Sequence, residues 1–138
     1  MTAAELASAL PGANVAQVMS QPVLTVEVGE SLWDAWQLLF VSGLRHLVVI
    51  DADGACVGVL ADRTILADLP ATQDHLARRT VSDVIARVPA FTILPDQSPI
   101  AAAQMMSEHT IEALPVVDGS GRLAGIVTEA DVVRWLAS

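Results

Sequence analysis

The chain has 138 residues, of which 53% are apolar, and it carries a formal net charge of −9. This length and apolar content predict a folded chain with a substantial core, whereas the negative charge argues against nucleic acid or an anionic membrane as a partner. Cys56 is the only cysteine and cannot form an internal disulfide. No apolar run approaches the roughly 18 residues of a membrane span, and the N-terminus lacks the positive start of a signal peptide. We therefore expect a cytoplasmic protein.

The sequence repeats itself with an offset of 67 residues. Residues 22–66 align with residues 89–133 without a gap, and ten of the 45 pairs are identical, against about three expected by chance from ordinary composition. Each copy predicts the same element order, which is helix, strand, helix, strand, strand, helix. We assign residues 14–69 to the first repeat and residues 80–138 to the second. Residues 1–13 form an N-terminal segment.

In chain order, each copy opens with a short helix that begins at Asn14 or at Thr80. A side-chain oxygen at the first position of such a helix accepts from backbone amides that have no helical partner. Extended segments follow around Thr25 and Thr92, where the β-branched content favours strands.

An amphipathic helix comes next in each copy, with Ser31 and Ser98 as the predicted N-caps. In the first copy, apolar residues spaced i, i+3, i+4, i+7 and i+8 predict one buried face, made of Leu32, Ala35, Trp36, Leu39 and Phe40. In the second copy the corresponding face is made of Ile100, Ala103 and Met106. Trp33 lies beside the first stripe and is a candidate association surface, because large aromatic residues are enriched at interfaces.

Each copy then predicts a strand, a tight turn and a second strand that runs into a helix. Turn chemistry is supplied by Asp51, Asp53, Gly54, Asp118, Gly119 and Gly121. Between the copies, the polar segment 70–79 is interpreted as a connecting loop. A half of about 60 residues with a three-stranded sheet exposes one face. We therefore expect the two halves to pack sheet to sheet as one pseudo-two-fold α/β unit.

This pattern resembles a tandem pair of cystathionine beta-synthase (CBS) domains, often called a Bateman module. The resemblance rests on the element order, on the sequences HLVVID and ALPVVD before the turns, and above all on GIVTEADVV. It covers nearly the whole chain. It implies a mixed α/β fold, association into dimers, and clefts between the repeats that bind AMP, ADP, ATP or S-adenosylmethionine. It implies regulation rather than catalysis, and no nucleophile or acid–base pair indicates an enzyme.

The resemblance implies a nucleoside site where the last strand of the second repeat meets its helix. There Thr128 and Asp131 complete the family pattern, in which the carboxylate accepts both ribose hydroxyls. The first copy has Ala61 and Thr64 in these positions, so we predict one competent site. A Thr-x-x-Asp sequence is also a common helix start. The capping and the binding interpretations are compatible.

The resemblance also implies residues around the adenine base and the phosphate. The base would contact Phe91, Ile111 and Ile126, although each of these also suits an ordinary core.

Arg45 and His46 stand where relatives often place cations that contact phosphate, but an Arg at a strand edge is also commonly a solvated surface residue. Glu112 occupies the position equivalent to Arg45 and would repel a phosphate. Adenosine with few charges, or S-adenosylmethionine with its cationic sulfonium, therefore suits the cleft better than ATP.

The sequence is compatible with two functions. One is a stand-alone module that senses an adenosyl ligand and acts on an unidentified protein effector. The other is a dimeric scaffolding protein with vestigial clefts. Both predict a homodimer whose interface includes the helices that begin near Ser31 and Ser98. The three histidines and Cys56 lack the spacing of metal ligands, so we predict neither a metal nor a required cofactor.

Overall fold

The computed structural model describes residues 2, 5, 12–21, 23–85 and 90–138. The chain falls into two compact units. The terminal unit comprises Met1–Val23 together with Phe91–Ser138, and the middle unit comprises Leu24–Ala90. Both contain helices and strands, which confirms the predicted mixed α/β class. None of the helices in the described ranges has the length and apolarity needed to cross a membrane.

The described elements follow the predicted order in the first repeat, whereas a further helix lies between the repeats and no described strand precedes the long helix of the second repeat. They are α1 (Val15–Val18), β1 (Thr25–Glu27), α2 (Leu32–Ser42), β2 (His46–Ile50), β3 (Cys56–Ala61), α3 (Asp62–Leu66), α4 (Gln73–Arg78), α5 (Val81–Ile85), α6 (Pro99–His109), β4 (Ala113–Val117), β5 (Leu123–Thr128) and α7 (Glu129–Leu136).

The sheets of the two units differ in one strand. In the middle unit, β1 runs parallel to β2 and β2 runs antiparallel to β3. In the terminal unit, β4 and β5 are antiparallel. The extended segment that precedes α6 contributes only an isolated parallel bridge between Ile93 and Val116. The predicted third strand is therefore complete in the first repeat and reduced to one residue in the second.

The predicted caps at Asn14, Ser31 and Ser98 and the two predicted turns are formed by local hydrogen bonds. At Thr80, the backbone amide donates to Asp83 Oδ2 at 2.8 Å, while the hydroxyl is bonded to Ser82 Oγ. Asn14 and Gln17 make a reciprocal capping box at α1. Ser31 accepts from a backbone amide at the start of α2, and Ser98 does the same at α6. In the first turn, Asp51 Oδ1 accepts from two backbone amides at 2.9 and 3.0 Å, and Asp118 Oδ1 does the same in the second turn.

The buried face of α2 is narrower than predicted. Leu32, Ala35 and Leu39 are buried, whereas Phe40 is 77% exposed, so its assignment to the core was wrong. At 3.6 residues per turn, Phe40 is rotated about 80° from Leu32, away from the side on which Ala35 and Leu39 lie. Trp33 packs half-buried against the middle-unit core. The exposed aromatic residue of α2 is therefore Phe40 rather than Trp33.

The segment 70–79 is not simply a loop, as the sequence had suggested. It contains α4, which is capped by Thr72 through a bond from the His75 amide. Leu76 is buried in the same core as α2. The helix was missed because it is only six residues long and buries one apolar side chain, which is too little for a periodic pattern.

The short helices pack across the sequence repeats. Val15 of α1 is fully buried in the core of the terminal unit, together with residues of the second repeat such as Leu114 and Val127. Val81 of α5 is fully buried in the core of the middle unit, with residues of the first repeat such as Leu47. Each short helix thus packs in the unit that contains the other repeat's sheet, so the spatial units do not coincide with the repeats in sequence.

Candidate functional site

A reciprocal pair of hydrogen bonds lies in the second repeat, where β5 ends and α7 begins. Thr128 Oγ1 accepts from the Asp131 amide at 3.2 Å, and Asp131 Oδ2 accepts from the Thr128 amide at 2.9 Å. This is a capping box, and the helix-start interpretation of the Thr-x-x-Asp sequence is confirmed.

The Asp131 carboxylate has two further partners. Its Oδ1 accepts from Ser20 Oγ and from Arg134 Nη1, both at 3.0 Å. Asp131 is 3% exposed and, within the ranges that the structure covers, is the one charged or polar residue that is buried. A buried carboxylate is tolerated because donors satisfy it, and here a main-chain amide, a hydroxyl and a guanidinium do so.

Ser20 is held in place by its backbone. Its amide donates to the Ile126 carbonyl at 2.8 Å, and the Ile126 amide donates back to the Ser20 carbonyl at 3.3 Å. This bridge attaches the chain that follows α1 to the edge of β5. The contact is close: a Cβ added at Gly125 would lie 2.6 Å from Met19 Sδ and 3.1 Å from the Ser20 carbonyl oxygen. The glycine of the motif therefore lets the Met19–Ser20 segment approach the strand.

The first repeat lacks this arrangement. α3 begins after Ala61 without a side-chain cap. Asp62 Oδ1 accepts from the adjacent Arg63 amide at 2.7 Å, while Thr64 occupies the position equivalent to Asp131. A Cβ at Gly58, the position equivalent to Gly125, would make only an ordinary 3.8 Å contact with Ile85.

The residues predicted around the base all lie in the terminal unit. Ile126 is 9% exposed, and Phe91 and Ile111 are half-buried against the core of that unit. The Phe91 ring stacks on the His109 ring, with centroids 3.9 Å apart and an interplanar angle of 15°. His109 ends α6 and was not singled out in the sequence for a role at this site.

The residues predicted for the phosphate lie in different units. Arg45 and His46 belong to the middle unit, where exposed Arg45 Nε lies 3.6 Å from Asp62 Oδ2 and His46 opens β2. Glu112 belongs to the terminal unit, and its carbonyl accepts from the Glu129 amide at 3.0 Å. The backbone of Glu112 is thus bonded to the first residue of α7, and the first turn of that helix carries Glu129 and Asp131. The first turn of α7 thus carries two carboxylates, of which Asp131 is paired with Arg134.

The family model for the CBS domain matches residues 15–71 and 81–138. The chain therefore belongs to the CBS domain family and carries the domain as a tandem pair.

Two solved structures illustrate the likeness. The CBS domain pair of protein MJ0100, in complex with 5′-methylthioadenosine and S-adenosyl-L-methionine, is 27% identical and has a TM-score of 0.78. The match covers 92% of this chain and 98% of that one. CBSX2 in complex with AMP is 31% identical with a TM-score of 0.74, and the match covers 91% and 97% of the two chains.

Curated relatives with enzyme names are much longer. A homoserine O-acetyltransferase of Methanococcoides burtonii is 34% identical over 123 residues, which cover 89% of this chain and 24% of that protein. An inosine-5′-monophosphate dehydrogenase of Mycobacterium tuberculosis is 35% identical over 91 residues, which cover 66% and 16%. The chain spans a quarter or less of these relatives.

Proposed function

We propose that this chain is a regulatory CBS domain pair that binds an adenosyl compound at its second repeat and acts on a protein effector in the cytoplasm. The observation that carries the proposal is the hydrogen-bonded Asp131 carboxylate where β5 meets α7. It supports the proposal because similar structures hold AMP, 5′-methylthioadenosine or S-adenosyl-L-methionine. Asp131 would accept the ribose hydroxyls, and the base would contact Phe91, Ile111 and Ile126. The role is regulatory rather than catalytic.

The charges of the terminal unit favour a ligand with little negative charge. Glu112, Glu129 and Asp131 all belong to the start of α7 or are bonded to it through the backbone. Carboxylates repel a phosphate and attract a sulfonium. S-adenosylmethionine, 5′-methylthioadenosine or adenosine should therefore bind better than ATP. For a ligand that does carry a phosphate, Arg45 and His46 remain the proposed contacts.

The test is calorimetry with S-adenosylmethionine and adenosine on Asp131→Ala, with Thr64→Ala as the matched control in the first repeat. Hydrogen bonds to a charged group contribute about 1.5–3 kcal/mol, so Asp131→Ala should weaken binding by roughly tenfold to a hundredfold. Thr64→Ala should bind like the wild type.

Asp131→Ala also removes a helix cap, so circular dichroism must show that the variant is folded at the assay temperature. Asp131→Asn, which keeps one acceptor oxygen, serves as the second variant. Binding that survives in both Asp131 variants, or equal losses in Asp131→Ala and Thr64→Ala, would contradict the proposed site.

A second candidate function is a dimeric scaffold, and exposed apolar residues favour it. At the end of α2, Phe40 and Val41 are 77% and 83% exposed. Two further pairs occupy equivalent positions in the repeats and are exposed in both, namely Leu66 with Val133 and Leu69 with Leu136. Burial of such side chains in an interface stabilises it by about 25 cal/mol per Å². A second copy of the chain is the partner that we propose.

The two repeats supply the variant that tests dimerisation. The second repeat carries Ser107 and Glu108 where the first carries Phe40 and Val41. Sedimentation should show a wild-type dimer at micromolar concentration, and Phe40→Ser combined with Val41→Glu should shift it to monomer. Because both side chains are exposed, the melting temperature extrapolated to low concentration should not fall. A wild-type monomer at that concentration would contradict the homodimer.

A further inference from the structure

The Asp131 carboxylate has fewer free acceptor sites than the two hydroxyls of a ribose would require. A carboxylate offers about four lone-pair sites. Among the residues that the structure describes, three donors use these sites, namely the Thr128 amide, the Ser20 hydroxyl and the Arg134 guanidinium. The 2′ and 3′ hydroxyls of a ribose would bring two more donors, which makes five donors for four sites. One donor must leave before both hydroxyls can bind.

The three donors differ in how readily they leave. The Thr128 amide belongs to the main chain at the helix start, and moving it would disrupt the capping box. Ser20 and Arg134 are exposed residues that donate to Asp131 through their side chains. When either side chain rotates away, it can therefore donate to water instead of the carboxylate. The Arg134 side chain is 73% exposed, whereas the Asp131 side chain is 2% exposed. The guanidinium can exchange the carboxylate for water, and the incoming ribose hydroxyl takes its place as a donor to the buried charge, so Arg134 should leave first.

We propose that Ser20 and Arg134 form a gate on Asp131: a ribose cis-diol gains its second acceptor site only when one of the two side chains leaves the carboxylate. The inference rests on the proposed function, because it concerns the same carboxylate. It makes Ser20 and Arg134 determinants of the preference for ribose over deoxyribose. Neither residue needs to contact the base.

The gate predicts a specific pattern of affinities for adenosine, a neutral probe that avoids phosphate effects. Ser20→Ala and Arg134→Ala each remove one donor, so each should tighten adenosine binding by the cost of displacing Arg134, about two- to fivefold. The double variant should gain no more than either single variant, because one freed site is enough. 2′-Deoxyadenosine brings one hydroxyl and needs no displacement, so its affinity should be the same in all four proteins.

Matched controls separate the gate from general effects. Gln21→Ala removes a neighbouring exposed side chain that bonds to the Ala124 carbonyl and not to Asp131. Arg78→Ala removes an exposed arginine paired with Asp74. Neither should change adenosine affinity. Ser20→Thr keeps the hydroxyl and should behave like the wild type, which provides a rescue that depends on the donor rather than on folding.

The experiment is calorimetry or competition binding of both nucleosides to the wild type and these variants. Weaker adenosine binding in Ser20→Ala or Arg134→Ala, equal changes for the two nucleosides, or additive gains in the double variant would overturn the gate. No change in any variant, with wild-type binding intact, would also overturn it and leave the proposed function standing. If neither the wild type nor any variant bound adenosine or S-adenosylmethionine, the proposed function itself would fail, and the gate with it.

Discussion

A methyl group added at Gly125 should have a different effect from one added at Gly58, although the two glycines are equivalent in the repeat. At Gly125 the new Cβ would lie 2.6 Å from Met19 Sδ, 3.0 Å from Met19 Cγ and 3.1 Å from the Ser20 carbonyl oxygen. At Gly58 its nearest neighbour would be Ile85 Cδ1 at 3.8 Å, which is ordinary van der Waals contact.

The magnitudes follow from two opposing terms. Replacing a strand glycine by alanine lowers the entropy of the unfolded chain and stabilises the fold by about 0.4–1 kcal/mol where there is room. Overpacking costs about 1–3 kcal/mol. Gly58→Ala should therefore be neutral or stabilising by about 0.5 kcal/mol. Gly125→Ala should destabilise by about 1–2 kcal/mol, which corresponds to a melting temperature lower by about 3–7 °C at this chain length.

Urea denaturation followed by circular dichroism measures both free energies. Met19→Ala removes the two closest atoms, and alanine is the residue that the second repeat carries at the equivalent position. Its combination with Gly125→Ala should show a favourable coupling of about 1 kcal/mol in a double-mutant cycle. Equal stability of Gly125→Ala and Gly58→Ala, or no coupling to Met19, would refute the close approach of the Met19–Ser20 segment to β5.

Two further predictions concern charge. Glu112→Gln should tighten ATP more than adenosine, because a like charge in a partly desolvated cleft costs on the order of 1–3 kcal/mol, and the difference should shrink at higher salt; tightest wild-type binding to ATP with no change in the variant would contradict this. Hydrogen bonds from Arg79, with a contribution from His75, hold the pKa of Asp68 below its usual value, so the stability that they provide is present above about pH 4 and is lost as pH falls through the lowered pKa. Asp68→Asn should therefore cost about 1 kcal/mol at pH 7, and urea titrations should show the gap closing below about pH 4; a gap unchanged to pH 2 would contradict the role of the carboxylate.

Features that depend on neighbouring residues were predictable from the sequence. Ser31 and Ser98 cap their helices and Asp51 and Asp118 organise their turns through bonds that span four residues or fewer. The reciprocal bonds of Thr128 and Asp131 are equally local. The comparison of the two copies then strengthened each assignment, because the same chemistry recurred at the same offset.

Features that depend on distant residues were not predictable in the same way. The apolar character of Val15 and Val81 indicated burial but did not show which core receives each helix. Ser20 donates a hydrogen bond to Asp131, which lies 111 positions away in the sequence. The spacing of apolar residues along the chain cannot predict such a contact. The predicted burial of Phe40 was wrong for a different reason. Helical spacing gives the direction of a side chain but not how far the neighbouring elements extend around the helix.

The difference between the two copies at this site has a physical basis in the buried carboxylate. Ser20, Asp131 and Arg134 correspond by the repeat offset to Arg87, Thr64 and Ala67, so all three members of the hydrogen-bonded group differ together.

These three positions depend on one another. A buried carboxylate that lacks its donors is strongly unfavourable, and a buried donor that lacks its acceptor costs about 1–3 kcal/mol. Loss of Asp131 alone would leave the Thr128 amide without its acceptor, whereas loss of the donors alone would leave a buried charge with too few partners. The group is therefore stable when complete or when absent, and each partial form carries a penalty. A chain that requires a ribose acceptor in only one unit is thus expected to retain all three residues in that unit, to which the first repeat contributes Ser20 and the second repeat contributes Asp131 and Arg134.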